Sequence, residues 1–208
     1  MSGLLFVVTA ASGTGKTSLV KALLEETEGL CVSVSHTTRA RRPGEIDGID
    51  YHFSSRDAFQ VQINSGEFIE FAEVFGNFYG THQKSVSDQL AEGKDVLLEI
   101  DWQGAAQVRR IFPDCHQIFI IPPTQAALRE RLQGRGQDSA EVIEQRLRGS
   151  LQEMQQYVQA DYLIINDDFA VALKHLSAVI EAARLTLAQQ SKRHAGLLSA
   201  LMNGEKHP

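Results

Sequence analysis

An unbroken apolar run at residues 4–10, bounded by a glycine-rich turn, predicts a buried strand at the start of the chain. Residues 18–26 carry apolar side chains at helical spacing, and the alternation in CVSVSHT, residues 31–37, predicts a second strand. Between residues 39 and 80 the texture changes. Turns and short aromatic segments dominate, which predicts an insert of short strands around one helix near 57–64. Helix–strand alternation then resumes: a helix at 85–92, a buried strand in DVLLEID, a helix in GAAQVRRIF, and a strand in HQIFIIPP that Pro122 and Pro123 stop. Helices at 125–132 and 140–158 flank the segment QGRGQDS; DYLIIND is a further strand; one long helix at 170–190 with a frayed tail closes the chain. Strands alternating with helices predict an α/β fold with a parallel sheet covered on both faces. Ligands in such sheets bind beyond the carboxyl ends of the strands.

Composition narrows the picture. The 208 residues, 43% hydrophobic and 22% charged, suit one soluble globular domain with inserted subdomains. The formal net charge of -6 argues against a broad nucleic-acid surface, yet allows a small anionic ligand held by a local basic cluster. The opening apolar run has no basic leader and is too short to span a bilayer. Cys31 and Cys115 fit no metal spacing and read as reduced core or near-core residues, which points to the cytoplasm. The seven histidines are scattered without zinc spacing and are assigned no catalytic part.

Two features carry chemistry. TAASGTGKTS follows the first strand and opens the first helix, and its Gly13, Gly15, Lys16 and Thr17 match most of a P-loop, with Ala10 in place of the usual first glycine. Glycines let backbone N–H groups curl around phosphate oxygens at a helix N-terminus; the lysine reaches the β- and γ-phosphates and the hydroxyl ligates Mg²⁺. Ser12, Thr14 and Ser18 belong to the same loop. The second feature is arginine in two groups: Arg39, Arg41 and Arg42 in a turn-rich stretch, and Arg129, Arg131, Arg135 and Arg146 around the glycines of QGRGQDS. Guanidinium forks match phosphate oxygens, so two groups around one P-loop suit phosphoryl transfer between two nucleotides. Helix arginines paired with Glu130, Glu141 and Glu144, or simply solvated, are the bland alternative.

SGTGKTS, SVSHTTRARRPGEIDGIDYHF, FIEFAEVFGNFYGT, EIDWQGA, RLQGRGQDS and IINDD, in this order and over nearly the whole chain, resemble the successive motifs of the guanylate kinases. The resemblance implies a P-loop NTPase-type three-layer fold with a parallel central sheet. The core would be residues 1–34, 82–124 and 154–208, with a small mixed α/β GMP-binding insert at 35–81 and a helical lid at 125–153. It implies that Arg39, Arg42, Tyr51 and Tyr79 hold the GMP phosphate with Glu45 nearby, and that Ser35, Glu70, Thr81 and Asp101 read the guanine. It also implies that Arg131, Arg135 and Arg146 close over the ATP phosphates, and that Asn166 contacts the adenine. Guanine presents an O6 acceptor beside N1–H and N2–H₂ donors, so hydroxyls and carboxylates suit it and would leave adenine mispaired. Without the resemblance, Glu70 reads as the solvated face of an amphipathic edge strand, and Asp167 and Asp168 as the acids that begin the last helix. Glu99 stands where related chains often carry aspartate, so Mg²⁺ is assigned to Thr17, with Glu99 or Asp101 acting through water.

The expectation is an ATP:GMP phosphotransferase, with Lys16, Arg39, Arg135 and Arg146 stabilising the transferred phosphoryl group and dGMP as a second acceptor. Two rivals remain: a related P-loop kinase of a phosphorylated sugar, and a noncatalytic phosphopeptide-binding module. The base readers weigh against the first, and the complete set of Lys16, Thr17, Arg135 and Arg146 against the second. Apolar residues on the last helix, among them Leu173, Leu176 and Leu187, face either the chain's own core or a second copy.

Overall fold

The computed structural model describes residues 3–74, 76–134 and 140–203. Along the chain come β1 (Leu5–Ala10), α1 (Lys16–Glu26), β2 (Leu30–Val32), β3 (His36–Thr37), β4 (His52–Phe53), α2 (Arg56–Asn64), β5 (Phe68–Val74) and β6 (Asn77–His82). Then follow α3 (Gln83–Ala91), β7 (Asp95–Glu99), α4 (Trp102–Ile111), β8 (His116–Ile121), α5 (Gln125–Gln133), α6 (Ala140–Met154), β9 (Tyr162–Ile165), α7 (Phe169–Arg184), α8 (Leu187–Arg193) and α9 (Ala195–Asn203). A single turn of 3₁₀ helix, Gln155–Gln159, ends the run that the sequence pattern assigned wholly to α-helix.

Among the described residues, β2-β7-β1-β8-β9 form one sheet, all parallel. Side chains alternate across it. Phe6 and Val8 of β1 pack with Leu97, Ile118 and Ile120 under α1 and α7, where Leu19, Leu23, Leu176 and Ile180 lie fully buried. Leu5 and Val7 face the other way, against Val96, Leu98, Val86, Ala105 and Val108 beneath α3 and α4. This period of two, buried on both faces, is why the strands are nearly continuous apolar runs. β1 leads on to β2 on one side and its neighbour β8 to β9 on the other, so the crossovers leave these adjacent strands in opposite directions and open a crevice at their carboxyl ends.

A second, mixed sheet, β4-β3-β6-β5, holds the insert. The stretch 31–37 is therefore not one strand. Its first part pairs with β7 in the large sheet and His36–Thr37 pairs with β4 and β6 in the small one. Alternation reports an extended chain, not its partner, and here the extended chain crosses from one sheet to the other with Ser35 at the crossing. The closing helix is also divided. Thr186 adopts an extended ψ of 146° and its Oγ1 donates to the Ala183 carbonyl at 3.0 Å, so α7 stops at Arg184 and the expected frayed tail continues as α8 and α9. Leu128 and Leu132 of α5 pack on Ile143 and Leu147 of α6 in a small third core of their own. Among the described residues no helix is long and apolar enough to cross a membrane.

Candidate active site

The carboxyl ends of β1 and β7 and the inner face of β5 enclose a cleft of about 340 Å³. One wall is Ser12, Gly13, Thr14, Gly15, Lys16, Thr17 and Ser18; the others include Ser35, Tyr51, Glu70, Tyr79, Glu99 and Asp101. Gly13 and Gly15 have φ of 87° and 91°, which side chains with a Cβ rarely tolerate, and they turn the loop back so that α1 begins at Lys16. Lys16 Nζ donates to the Ile100 carbonyl at 2.8 Å, bridging the loop to the end of β7. Thr17 Oγ1 donates to Glu99 Oε1 at 2.5 Å. These neighbouring hard oxygens fit Mg²⁺, which takes one or two protein oxygens and completes its shell with water and substrate phosphates.

Behind the loop sit two residues expected over the nucleotide. Asn166 is 4% exposed and its Nδ2 donates to the Thr14 carbonyl at 2.6 Å. Arg131 Nη1 and Nη2 donate to the carbonyls of Thr14 and Asn166 at 3.3 and 2.8 Å. Both brace the loop from below. Arg146 lies partly buried on α6, and Arg135 falls outside the described residues.

The opposite wall is a hydroxyl–carboxyl chain. Thr81 Oγ1 donates to Glu70 Oε1 at 2.6 Å, and Ser35 Oγ lies 3.2 Å from Thr81 Oγ1. Glu70 is 3% exposed. Burial pushes its carboxyl up to about 7; the Thr81 bond pulls it back and the charge of Asp101 adds to the rise. Edge-strand residues 70, 72 and 74 line the cleft, whereas Glu73 points out to Arg56. Asp101 caps α4, its Oδ1 accepting from the Gly104 N–H at 2.8 Å. Behind this wall the rings of His36, His52 and His82 pack together with Phe68. Burial first, then the neighbouring imidazoles, lowers His36 to about 4, so it is neutral at pH 7.

The basic stretch stands at the cleft's rim. Arg39 forks onto Glu45, with Nη2–Oε1 at 2.6 Å and Nη1–Oε2 at 3.1 Å, and its guanidinium lies 5.4 Å from the centre of the Tyr51 ring. Glu45 also accepts from the Arg42 N–H at 2.8 Å and, held by Arg39, sits below the ordinary carboxylate range. A carboxylate thus fills a fork that fits a phosphate equally well. Tyr51 and Tyr79 meet edge-on beside it, and the Arg42 side chain is solvent-exposed.

Three residues at or beside the site are not among those singled out from the sequence. Glu153 of α6 lines the cleft, and its Oε2 accepts from the Ser12 N–H at 3.4 Å. Beside it, buried Ser150 donates to the Ser12 carbonyl at 3.1 Å. Ser150 interrupts the stripe Ile143, Leu147, Met154, and a polar residue at a core position is the one clue the pattern offered. Gln107 of α4 reaches the backbone of β5 at Phe71.

A family profile described as guanylate kinase matches residues 2–183. The chain belongs to the guanylate kinase family. It is 63% identical to a guanylate kinase of Acinetobacter baylyi over 202 residues, 97% of this chain and 98% of that one. It is 59% identical to a guanylate kinase of Psychrobacter arcticus, covering 98% of each. The crystal structure of guanylate kinase from Anaplasma phagocytophilum superposes with a TM-score of 0.76 at 34% identity, over 90% of this chain and 89% of that one. Guanylate kinases at this level of identity share the P-loop NTPase architecture seen here, with its parallel central sheet.

Proposed function

We propose that the chain transfers the γ-phosphoryl group of ATP to GMP, giving ADP and GDP, with both nucleotides in the one cleft. The observation that carries this reading is that Lys16 and Thr17 of the phosphate-binding loop face the same cleft as Glu70 and Ser35. ATP lies with its phosphates on residues 12–18. GMP lies with its guanine against Ser35, Glu70, Thr81 and Asp101, and its phosphate beside Tyr51, Tyr79 and Arg39, where it takes over the fork now given to Glu45. A GMP phosphate oxygen attacks Pγ, the bond from Pγ to the β-bridging oxygen breaks, and ADP leaves. The attacking oxygen is already anionic, so no general base is required; position and fixed positive charge set the rate. Lys16 meets the charge that builds on the β–γ oxygens, and Arg39, Arg135 and Arg146 the charge on the transferred group. Mg²⁺ beside Thr17 and Glu99 supplies further charge neutralisation when bound. Arg131 and Asn166 act by holding the loop in shape. The two free cysteines suit a reducing compartment, and we assign the enzyme to the cytoplasm.

Coupled measurement of ADP release with ATP and Mg²⁺ tests this reading against a panel of acceptors. GMP and dGMP turn over well; AMP, dTMP and ribose phosphates do not. AMP or a sugar phosphate as the best acceptor overturns it.

A further inference from the structure

Among the described residues β5 is the edge of the small sheet, paired on one side only. In an antiparallel pair, alternate residues turn their N–H and C=O away from the partner strand, and on an edge these groups face nothing. At Phe71 they face Gln107 of α4. Gln107 Oε1 accepts from the Phe71 N–H at 3.1 Å, and its Nε2 donates to the Phe71 carbonyl at 2.8 Å. One side-chain amide thereby imitates a residue of a fifth strand. Among the twenty side chains, only Asn and Gln offer an acceptor and donor in this amide arrangement, and Asn is one carbon shorter.

The residues on either side show what the clamp holds. The pairing of β5 with β6 shifts between Phe68 and Glu70, and Ile69, at the irregularity, drops into the core beneath α4 with Ala105 and Val108. Glu70 then turns into the cleft and lies against Gly104, where a Cβ would come within 2.4 Å of Glu70 Oε2. Three consecutive residues of β5 are thus fixed by one helix: Ile69 by its apolar face, Glu70 by its glycine, Phe71 by its glutamine. The helix is itself tied to the large sheet, since Gln117 Nε2 on β8 donates to the Ala105 carbonyl at 2.7 Å. The path runs from the phosphate-binding core, through α4, to the carboxyl that faces the base.

We propose that Gln107 is a positioning residue for guanine recognition: its amide fixes the β5 backbone at Phe71 so that Glu70 is held at the depth where it meets the base. This rests on the reading of the cleft as a GMP site. A displacement of Glu70 that leaves the P-loop untouched weakens the acceptor and spares ATP. It also erodes the preference for a purine with both N1–H and N2–H₂.

Gln107→Leu keeps the bulk and removes both bonds. Gln107→Glu keeps an acceptor and sets a carboxylate against the Phe71 carbonyl. Both are expected to raise the KM for GMP roughly tenfold, the equivalent of the two bonds' net strength. The KM for ATP should stay within about twofold, and the preference for GMP over IMP should fall by a similar factor. An equal rise in both KM values, or an unchanged preference, overturns the proposal in favour of a merely structural role. Hydrogen exchange at the Phe71 amide judges the clamp without reference to catalysis and without a variant that must fold. Slow exchange in the unmodified protein is expected, and exchange at the rate of a free edge amide overturns the inference. A wild-type protein that does not phosphorylate GMP would refute the function instead, and leaves that amide measurement to decide the clamp.

Discussion

Glu70 is buried, faces the cleft where the guanine is proposed to lie, and is held near pH 7 at the midpoint between its two forms. The direction of its shift fixes what pH does. Its carboxyl ordinarily titrates at 4.5, and burial raises this to about 7, so the fold favours the protonated form. The stability it contributes is complete below pH 4.5 and is lost as pH rises through 7, by roughly 3 kcal/mol at full effect. Guanine needs the opposite form, because only the carboxylate accepts from both N1–H and N2–H₂. Binding therefore costs a proton below pH 7. The phosphate of GMP titrates near the same pH, so guanosine is the cleaner probe. Its affinity should fall by up to about tenfold per unit as pH drops below 7 in the wild type, and stay flat, though weak, in Glu70→Gln. Parallel pH profiles for the two proteins would show that Glu70 does not carry the recognition. Glu45 titrates in the contrary sense, lowered by its bond to Arg39, and remains ionised throughout this range.

At the scale of elements, the loop between β1 and α1 is held by packing as well as by its own turns. A Cβ on Gly13 would lie 2.9 Å from Leu132 Cδ2 and 3.0 Å from Leu128 Cδ1, both fully buried on α5. Gly13→Ala thus adds backbone strain at φ 87° and pushes α5 off the loop it braces through Arg131. It should cost about 1–3 kcal/mol of stability and raise the KM for ATP more than that for GMP, read by thermal unfolding and initial rates. A variant with wild-type melting temperature and ATP affinity would mean that α5 yields freely. This loop was legible in the sequence because strand, glycines and helix are consecutive, and consecutive residues carry their geometry with them. The helices α3, α4 and α5 and the strands β7 to β9 were legible for the same reason, through periodicity and flanking turns. What periodicity does not contain is the partner. Residues 31–37 alternate correctly for a strand and yet serve two sheets. Gln107 bonds a backbone 36 positions away, and Glu153 one 141 positions away, so neither leaves a local trace. The break after Arg184 was hidden too: Thr186 leaves the helical backbone and bonds the Ala183 carbonyl, while Arg184 is anchored to Asp95 and the Glu28 carbonyl, partners too distant in sequence to leave a local trace.

For the molecule as a whole, the cleft is where three bodies meet: the large sheet with its loop, the small sheet with Glu70, and the α5–α6 pair with its separate core. The last of these touches the loop from α6, through Ser150 and Glu153 on the two backbone groups of Ser12. Glu153 puts a carboxyl on the cleft wall, on an N–H of the loop proposed to receive phosphate. Burial raises its pKa, and the positive charge of Lys16 opposes the rise. On the proposed reading, a triphosphate arriving at the loop meets a like charge there and competes with it for the Ser12 N–H. Like charges about 8 Å apart at the rim of a protein cleft repel by about 2 kcal/mol at an effective dielectric of 20. Glu153→Gln keeps the bond from Ser12 and removes the charge, so the KM for ATP should fall by about tenfold while that for GMP holds. Because the raised pKa brings protonation closer to neutrality, the two proteins should converge as pH falls, the wild type acquiring the uncharged side chain that the variant has at every pH. A rise in the KM for ATP on substitution would reverse the assignment, making the ionised carboxylate a part of the ATP-bound state instead of its competitor.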